Sequence, residues 1–453
     1  MANDWQPTTI AEIASSAQNA LVGGPFGSDL VSRDYVDHGV PVIRGQNMDE
    51  RWVGGEFVYV TPEKAESLKA NLARPGDIVF TQRGTLGQVA LVPEKPFERY
   101  LISQSQMKLT VNRERVDPLF LYFVFRSPEK QEYIRQHTIQ TGVPHTNLGI
   151  LRATPILLPP LKEQRAISCI LGTLDDKIEL NRKMNETLEA IARSLYRSWF
   201  MDFDPVRAKT VNRETGLPKS LARLFPNSFE ESDLGEIPKG WRVGCVGDIS
   251  EINLRSLSKT DPLEEIDYVE ISEVMRGEVR SVIRYKRGCE PSRARRLLRN
   301  GDTVLSTVRP DRGAHFLCLN PPESLIASTG FAVLSPRNGN WGFLYSFLSR
   351  REVSLELGRL ADGGAYPAVR PDVITDMKLV YPLESGIVNA YERFVRPLFL
   401  RMETGRREVK TLAALRDTLL PTLVSGELRI KDALIVGRAA SSSLENIGSR
   451  RLV

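Results

Sequence analysis

An α+β fold built twice is what this sequence predicts: two mixed α/β domains joined by two long helices packed as an antiparallel coiled coil. Three observations carry that expectation. Motifs of the first half return in the second, short β-rich runs fill each copy, and each copy ends in a long stretch with one apolar stripe. Trp5, followed by Ala11 and Ile13, is echoed by Trp241 with Val246, Asp248 and Ile249. Pro75-Gly76-Asp77-Ile78-Val79 returns as Asn300-Gly301-Asp302-Thr303-Val304, Ile102-Ser103 as Ala327-Ser328, and Leu121-Tyr122-Phe123 as Leu344-Tyr345-Ser346. Ile156 to Leu161 returns as Met377 to Leu383. The offset drifts in one direction, from 236 residues at Trp5/Trp241 to 225 at Gly76/Gly301 and 222 at Pro160/Pro382. Unrelated matches would scatter; a duplication with small loop deletions drifts.

Within each copy, runs such as Val40-Pro41-Val42-Ile43, Asp77 to Thr81 and Val89 to Val92 have strand length and β-branched enrichment. Helical stretches interrupt them at Pro118 to Ser127 and Trp341 to Arg350. From Leu161 to about Phe200 there is no proline and only one glycine, Gly172, while Ile167, Leu171, Leu174, Ile178, Leu188, Ile191 and Leu195 fall mostly three or four apart. That is an amphipathic helix started by Pro159-Pro160, with Glu163 in its first turn. The second copy has Ile387, Tyr391, Phe394, Leu398, Met402, Val409, Leu412, Leu415 and Leu419, with Pro421 and Gly426 expected to end the helix. Two single-stripe helices bury those stripes most simply against each other, with Asn181 and Asn185 fixing register, though each helix packing on its own domain stays open. The expected boundaries are a first domain at 1–160, a central helix at 161–204, a linker at 205–235, a second domain at 236–383, a C-terminal helix at 384–426 and a disordered tail at 427–453.

At 453 residues the chain exceeds one core. Its 41% apolar and 26% charged residues are ordinary for a globular protein. No apolar run approaches the roughly 18 residues of a membrane span. Met1 to Trp5 has neither a basic start nor an apolar stretch, so no secretory signal is expected. Cys169, Cys245, Cys289 and Cys318 show no ligand spacing and read as reduced thiols of a cytoplasmic protein. The net charge of +5 is weak, but Arg284, Lys286, Arg287, Arg293, Arg295, Arg296 and Arg299 crowd one segment opposed only by Glu290. Such a cluster either neutralises phosphates or forms a solvated helix face.

Catalytic signatures are missing. There is no phosphate-binding Gly-rich loop, no His-Glu-x-x-His and no Gly-x-Ser-x-Gly. Asn320-Pro321-Pro322-Glu323 approaches the Asn/Asp-Pro-Pro-aromatic loop of amino-methyltransferases, but Glu323 replaces the aromatic. It reads as a surface turn.

Leu158-Pro159-Pro160-Leu161-x-Glu163-Gln164-x-x-Ile167, then Leu174-Asp175-x-Lys177-Ile178-x-x-Asn181, resembles the central region of the specificity subunits of type I restriction-modification enzymes. Gly24-Pro25-Phe26-Gly27-Ser28, with Tyr35 and Gly39 to Gly45, is similar to the start of their first target-recognition domain. Leu420-Pro421-x-Leu423-x-Ser425-Gly426-Glu427-Leu428 is similar to their C-terminal helix end. The second copy departs from the pattern at Pro382-Leu383-Glu384-Ser385, which lacks the Glu-Gln pair.

The resemblance implies two target-recognition domains, each reading half of a bipartite double-stranded DNA site. The helices then act as a ruler and dock two methyltransferase subunits, with restriction-translocase subunits joining through the complex. S-adenosylmethionine, ATP and Mg would belong to those partners. This chain would carry no cofactor, metal or catalytic residue and contact no membrane.

Base readers are expected on loops and phosphate grips on cations. In the first domain the candidates are Arg44, Gln46 and Asn47 after the Val40–Ile43 run, then Arg83, Gln104 and Gln106, then Thr141, His145 and Asn147. In the second they are Arg284, Lys286, Arg287, Arg293, Arg295 and Arg296 for phosphates, with Arg309, Arg312, Tyr366 and Arg370 as readers. Two other classes stay open at this stage: a self-contained methyltransferase or nuclease, and a coiled-coil scaffold that does not touch DNA.

Overall fold

The echoed ends of each copy pair with each other. The computed structural model describes residues 5–139, 145–258, 260–364, 366–428 and 430, so Thr141 and the expected tail beyond 430 lie outside the described residues. The chain divides into two units, residues 1–180 with 409–453 and residues 181–408. Each unit therefore contains part of both long helices.

Among the described residues the first unit has ten strands: β1 (Gln6–Thr9), β2 (Leu21–Gly23), β3 (Val40–Ile43), β4 (Val58–Val60), β5 (Leu72–Ala73), β6 (Ile78–Thr81), β7 (Val89–Leu91), β8 (Tyr100–Ile102), β9 (Gln106–Leu109) and β10 (Pro155–Leu158). β1 and β10 form an antiparallel ladder with Gln6 opposite Leu158. The others make two four-stranded sheets, ordered β2-β9-β6-β7 and β4-β3-β8-β5. Only the β3–β8 pair is parallel among them.

The second unit opens with a hairpin, β11 (Phe229–Ser232) and β12 (Gly235–Pro238), followed by β13 (Trp241–Cys245), β14 (Ser250–Ile252), β15 (Glu265–Val269), β16 (Val274–Met275), β17 (Glu278–Val279), β18 (Ile283–Lys286), β19 (Ala294–Leu297), β20 (Thr303–Ser306), β21 (His315–Leu317), β22 (Leu325–Ser328), β23 (Phe331–Pro336) and β24 (Lys378–Pro382). Its sheets repeat the first unit's plan: β14-β23-β20-β21, β18-β15-β22-β19, and a β13–β24 ladder with Trp241 opposite Pro382. β15–β22 is again parallel. The duplication is thus one of topology as well as sequence.

The echoed Gly-Asp motif is a turn. Gly76 (φ +85°) and Gly301 (φ +88°) take the left-handed conformation that glycine adopts freely. The aspartate that follows each accepts a backbone N–H three residues back, Asp77 from Arg74 at 2.9 Å and Asp302 from Arg299 at 2.7 Å.

The long helices run Leu161–Phe200 and Ser385–Val424. The second starts without a Glu-Gln pair and continues through Pro421; Gly426, at φ +74°, follows its end. In the first unit the buried Ile167 and Leu171 share a core with Leu419, Leu420 and Leu423, and Arg416 bonds Asp175 at 2.8 Å. In the second unit Asn181 donates to Glu408 at 2.9 Å, and the Tyr391 hydroxyl donates to the Ala192 carbonyl at 3.3 Å. Residue numbers rise on one helix as they fall on the other, so the pairing there is antiparallel. A Cβ on Gly405 would sit 2.7 Å from the Asn185 side chain, so this glycine permits the close approach.

Two stripe residues expected inside are not: Ile191 and Phe394 are each 49% exposed. Ala192, Tyr196 and Trp199 take the inward face instead, against Tyr391 and Val395. Bulky rings at the end of the helix rotate the buried stripe by about one position. The expected linker at 205–235 is folded, with helices Asp204–Thr210 and Lys219–Ala222, and with Val206 and Phe225 fully buried in the second unit's core. Apolar residues spaced too sparsely to show periodicity were enough to dock it.

The paired aspartates should respond differently to neutralisation. Asp77 is buried against Lys108 at 3.5 Å. Asp77→Asn leaves that ammonium buried and unpaired, and should cost about 3–5 kcal/mol. No salt bridge reaches Asp302 among the described residues, and burial pushes its carboxyl up. A raised carboxyl holds its proton in the folded state, so its contribution to stability is present at low pH and lost as pH rises above the unfolded value near ~4. Asp302→Asn should therefore cost less than about 1.5 kcal/mol and flatten the slope of stability against pH, measured by urea denaturation.

Candidate nucleic-acid interface

In the first unit five loops at strand ends meet through backbone hydrogen bonds. Gly24 N donates to Gln106 O at 2.8 Å, and Ser103 N to Ile43 O at 3.0 Å. Gln82 N donates to Ser105 O at 2.7 Å, and Thr146 N to Gln82 O at 3.0 Å. The loops after β2, β3, β6 and β8 and the segment before the Leu148–Ala153 helix thus form one patch.

The predicted readers divide sharply here. Arg83 and Gln46 are exposed on the patch. Asn47 is buried, its Nδ2 donating to the carbonyls of Gly54 and Glu56 (both 2.9 Å) and its Oδ1 accepting from Arg44 N (3.1 Å). Gln106 is fully buried; with its amide oriented by the hydrogen-bond network, it bridges Ile43 O (3.1 Å) and Gly45 N (3.2 Å). Gln104 donates to Gly27 O (2.6 Å) and Leu30 O (2.8 Å), and Asn147 caps the following helix through Ile150 N (2.9 Å). These four amides hold the loops rather than face outward. Loop backbone has no ladder to satisfy it, so nearby Asn and Gln side chains are recruited. Arg44 is half-buried, and its Nε has no partner among the described residues. His145 joins the bridges to Arg83 and Ile139.

Sequence reasoning passed over Phe26. It is 87% exposed at the tip of the loop that Gln104 ties down. The Gly24-Pro25-Phe26-Gly27-Ser28 string contained it, but an aromatic in sequence is ordinarily read as core.

The second unit builds the same patch with other residues. Val369 N donates to Thr307 O (2.9 Å), Thr307 N to Gly330 O (2.9 Å), and Arg309 N to Pro367 O (2.8 Å). A depression of about 550 Å³ opens among Ile271, Arg293, Thr307, Thr329, Gly330 and Tyr366. Arg309 is held in the left-handed region (φ +47°), where the matching loop of the first unit has Gly84 (φ +100°). A bulky residue there costs about 1–2 kcal/mol, a strain that clusters at functional loops. Its guanidinium lies 4.9 Å from the ring of Tyr366, itself 74% exposed. Arg370 is exposed beside Asp372 at 3.3 Å, and Arg312 is exposed on the next turn.

The basic cluster is not one patch. β18 and β19 are opposite edges of their sheet, separating Arg284 and Lys286 from Arg295 and Arg296. Asp267 holds Arg284 at 2.8 Å and raises its pKa, and Glu290 holds Arg287 at 2.9 Å. Burial lowers the pKa of Arg296, whose Nε lacks a partner among the described residues. Arg293, exposed on the rim of the depression, is the member that joins the loop patch.

Residues 3–190 match the family model described as the type I restriction modification DNA specificity domain. The MjaIX specificity subunit of Methanocaldococcus jannaschii, a type I restriction enzyme subunit, is 23% identical over 95% of this chain and 94% of its own length. The HindI specificity subunit of Haemophilus influenzae is 25% identical over 94% of this chain and all of its own. The chain is thus similar to type I restriction-enzyme specificity subunits over nearly its whole length, with the specificity-domain match confined to residues 3–190. A crystal structure of a type I S subunit from M. genitalium shares the fold, with TM-score 0.58 and 16% identity over 93% of this chain and 97% of that one. No helix among the described residues is long and apolar enough to cross a membrane.

Asn47→Ala should cost about 1–3 kcal/mol, because the Gly54 carbonyl, the Glu56 carbonyl and the Arg44 N–H lose their buried partner. Gln46→Ala, on the exposed side of the same loop, should leave the melting temperature unchanged while altering DNA binding.

Proposed function

We propose that each unit's loop patch reads one half of a bipartite double-stranded DNA target, and that the chain catalyses nothing itself. The observation that carries this reading is one scaffold bearing two different sets of loop residues. Phe26, Gln46 and Arg83 are exposed in the first unit; Arg293 and Tyr366 are exposed in the second, with half-buried Arg309 against the Tyr366 ring. Two similar readers with different surface chemistry suit two unlike half-sites. Arginine and glutamine can each make bidentate contacts to base edges, and arginine also grips phosphates. Linking two modest readers raises the effective concentration for the second contact.

The paired long helices serve as the spacer and the dock for two methyltransferase subunits, through which restriction-translocase subunits join. On the second unit's part of these helices, Ile191, Phe394 and Leu400 are 49%, 49% and 43% exposed, apolar surface suited to a protein partner. S-adenosylmethionine, ATP and Mg are then used by the partners.

Methylation mapping of a host carrying the complex should give a split motif with a fixed gap. Arg309→Ala with Tyr366→Ala should weaken binding about tenfold, corresponding to one good base contact, and relax sequence preference in only one half of the motif. Removing seven residues from each long helix shortens it by about 10 Å, or about three base pairs at 3.4 Å each. An unchanged gap in that variant would rule out the spacer role.

A further inference from the structure

The second unit holds a cleft of about 580 Å³ that shares no lining residue with the depression beside Tyr366. Its walls come from the central helix around Tyr196, the β16–β17 turn, the Pro310–Arg312 turn and the start of the Arg351–Arg359 helix. Six arginines line it against three carboxylates. Two of the six are neutralised, Arg193 by Glu189 at 2.6 Å and Arg197 by Asp202 at 2.9 Å. Arg276, Arg312, Arg350 and Arg351 have no salt bridge among the described residues.

Two of these cations occupy positions that local physics would give to other residues. The β16–β17 hairpin turns at Arg276 (φ +40°) and Gly277 (φ +90°), a two-residue turn that favours asparagine or glycine at its first position. Arg350 stands where the Arg351–Arg359 helix begins and makes no side-chain cap. The matching helix of the first unit, Pro128–Gln136, is capped by Ser127. Both misfit arginines line the same cleft.

The first unit fills the matching position with a longer side chain. There Gln131 reaches across to donate to the carbonyls of Gly87 (2.9 Å) and Phe125 (2.6 Å). In the second unit Ser354 stands near the matching Gly313, and the shorter side chain leaves the cleft open. Arg350 and Arg351 replace Ser127 and Pro128 beside it. His315, buried at the back, engages the Gly313 carbonyl through Nδ1 at 3.0 Å. The duplication therefore kept the scaffold while one copy gained an open, cationic recess.

We propose that this cleft binds a phosphate-bearing anion, either the polyphosphate of a nucleotide-sized molecule or the phosphates of a DNA strand beside the reading loops. Guanidinium forks pair two oxygens at once, and the forks of Arg276, Arg312 and Arg351, beside an Arg350 whose Nε already donates to the Phe347 carbonyl at 3.1 Å, call for an anion with many oxygens. The volume falls in the range of small-ligand sites, roughly 300–1,000 Å³.

The test uses the full chain with Arg276→Gln and Arg351→Gln combined, both outside the loops proposed to read bases. Titration calorimetry with pyrophosphate and with a nucleoside triphosphate forms one arm. Duplex binding over a salt series forms the other. A nucleotide-sized ligand predicts that both anions bind and that the double variant weakens them at least tenfold, leaving duplex binding unchanged. A DNA strand predicts instead a loss of duplex affinity with the salt slope reduced by about two, one for each lost contact. Arg276→Lys with Arg351→Lys should keep part of either binding, and an unchanged melting temperature confirms the fold. If the glutamine variant shifts neither arm, the proposal is wrong. The pyrophosphate arm does not depend on base reading, and an unchanged methylation motif in the variant separates the two claims.

Discussion

Each unit depends on a short ladder that ties an early strand, β1 or β13, to the strand feeding a long helix. β10 passes through Pro159-Pro160 directly into Leu161–Phe200, and β24 leads into Ser385–Val424. Side chains from the helices then lock the connection. Gln164, fully buried, accepts from Asp117 N at 2.9 Å and donates to Arg115 and Pro159 carbonyls, both at 2.8 Å. Glu392 does a comparable job in the second unit, accepting from Phe343 N at 2.7 Å, with Arg396 beside it at the same distance. In both cases a helix side chain satisfies the exposed N–H groups where a domain helix begins. The two sheets of each unit are consequently anchored to a rigid element, and the loops at their strand ends inherit that rigidity.

Loops held this way need many internal hydrogen bonds, which explains the division of labour among amides and cations. Asn47, Gln104, Gln106 and Asn147 are spent on backbone partners. Exposed chemistry falls to other residues: Phe26, Gln46 and Arg83 in one copy, Arg293 and Tyr366, with half-buried Arg309 beside the ring, in the other. A preorganised loop loses little conformational freedom on binding, so more of its contact energy appears as affinity. The strained Arg309 fits the same logic, since a rigid frame can hold a residue where an unsupported loop would relax.

The helix seam carries its own specificity. Asn181 with Glu408, and Gly405 beneath Asn185, place polar and small residues where leucine would pack more tightly. Such positions give up stability and admit only one register. The aromatic cluster of Tyr196, Trp199, Phe200 and Tyr391 then adds to the apolar burial of Val395, Phe399 and Met402 in the second unit.

Much of the architecture was legible in the residues. Repetition, strand-length runs and forty-residue stripes are local or periodic signals, and local periodicity survives folding because each element must bury one face. The mixed α+β units and the helix pair followed from it. Side-chain direction within loops did not, because it depends on which backbone groups lie across the patch. Sequence neighbours such as Gln46 and Asn47 therefore ended on opposite sides of the surface. Nor could a run of seven cations reveal that the sheet would send Arg284 and Arg295 to opposite edges. Strand order joins residues distant in sequence and parts close ones, so the fold class was set by pattern and the binding surface by packing.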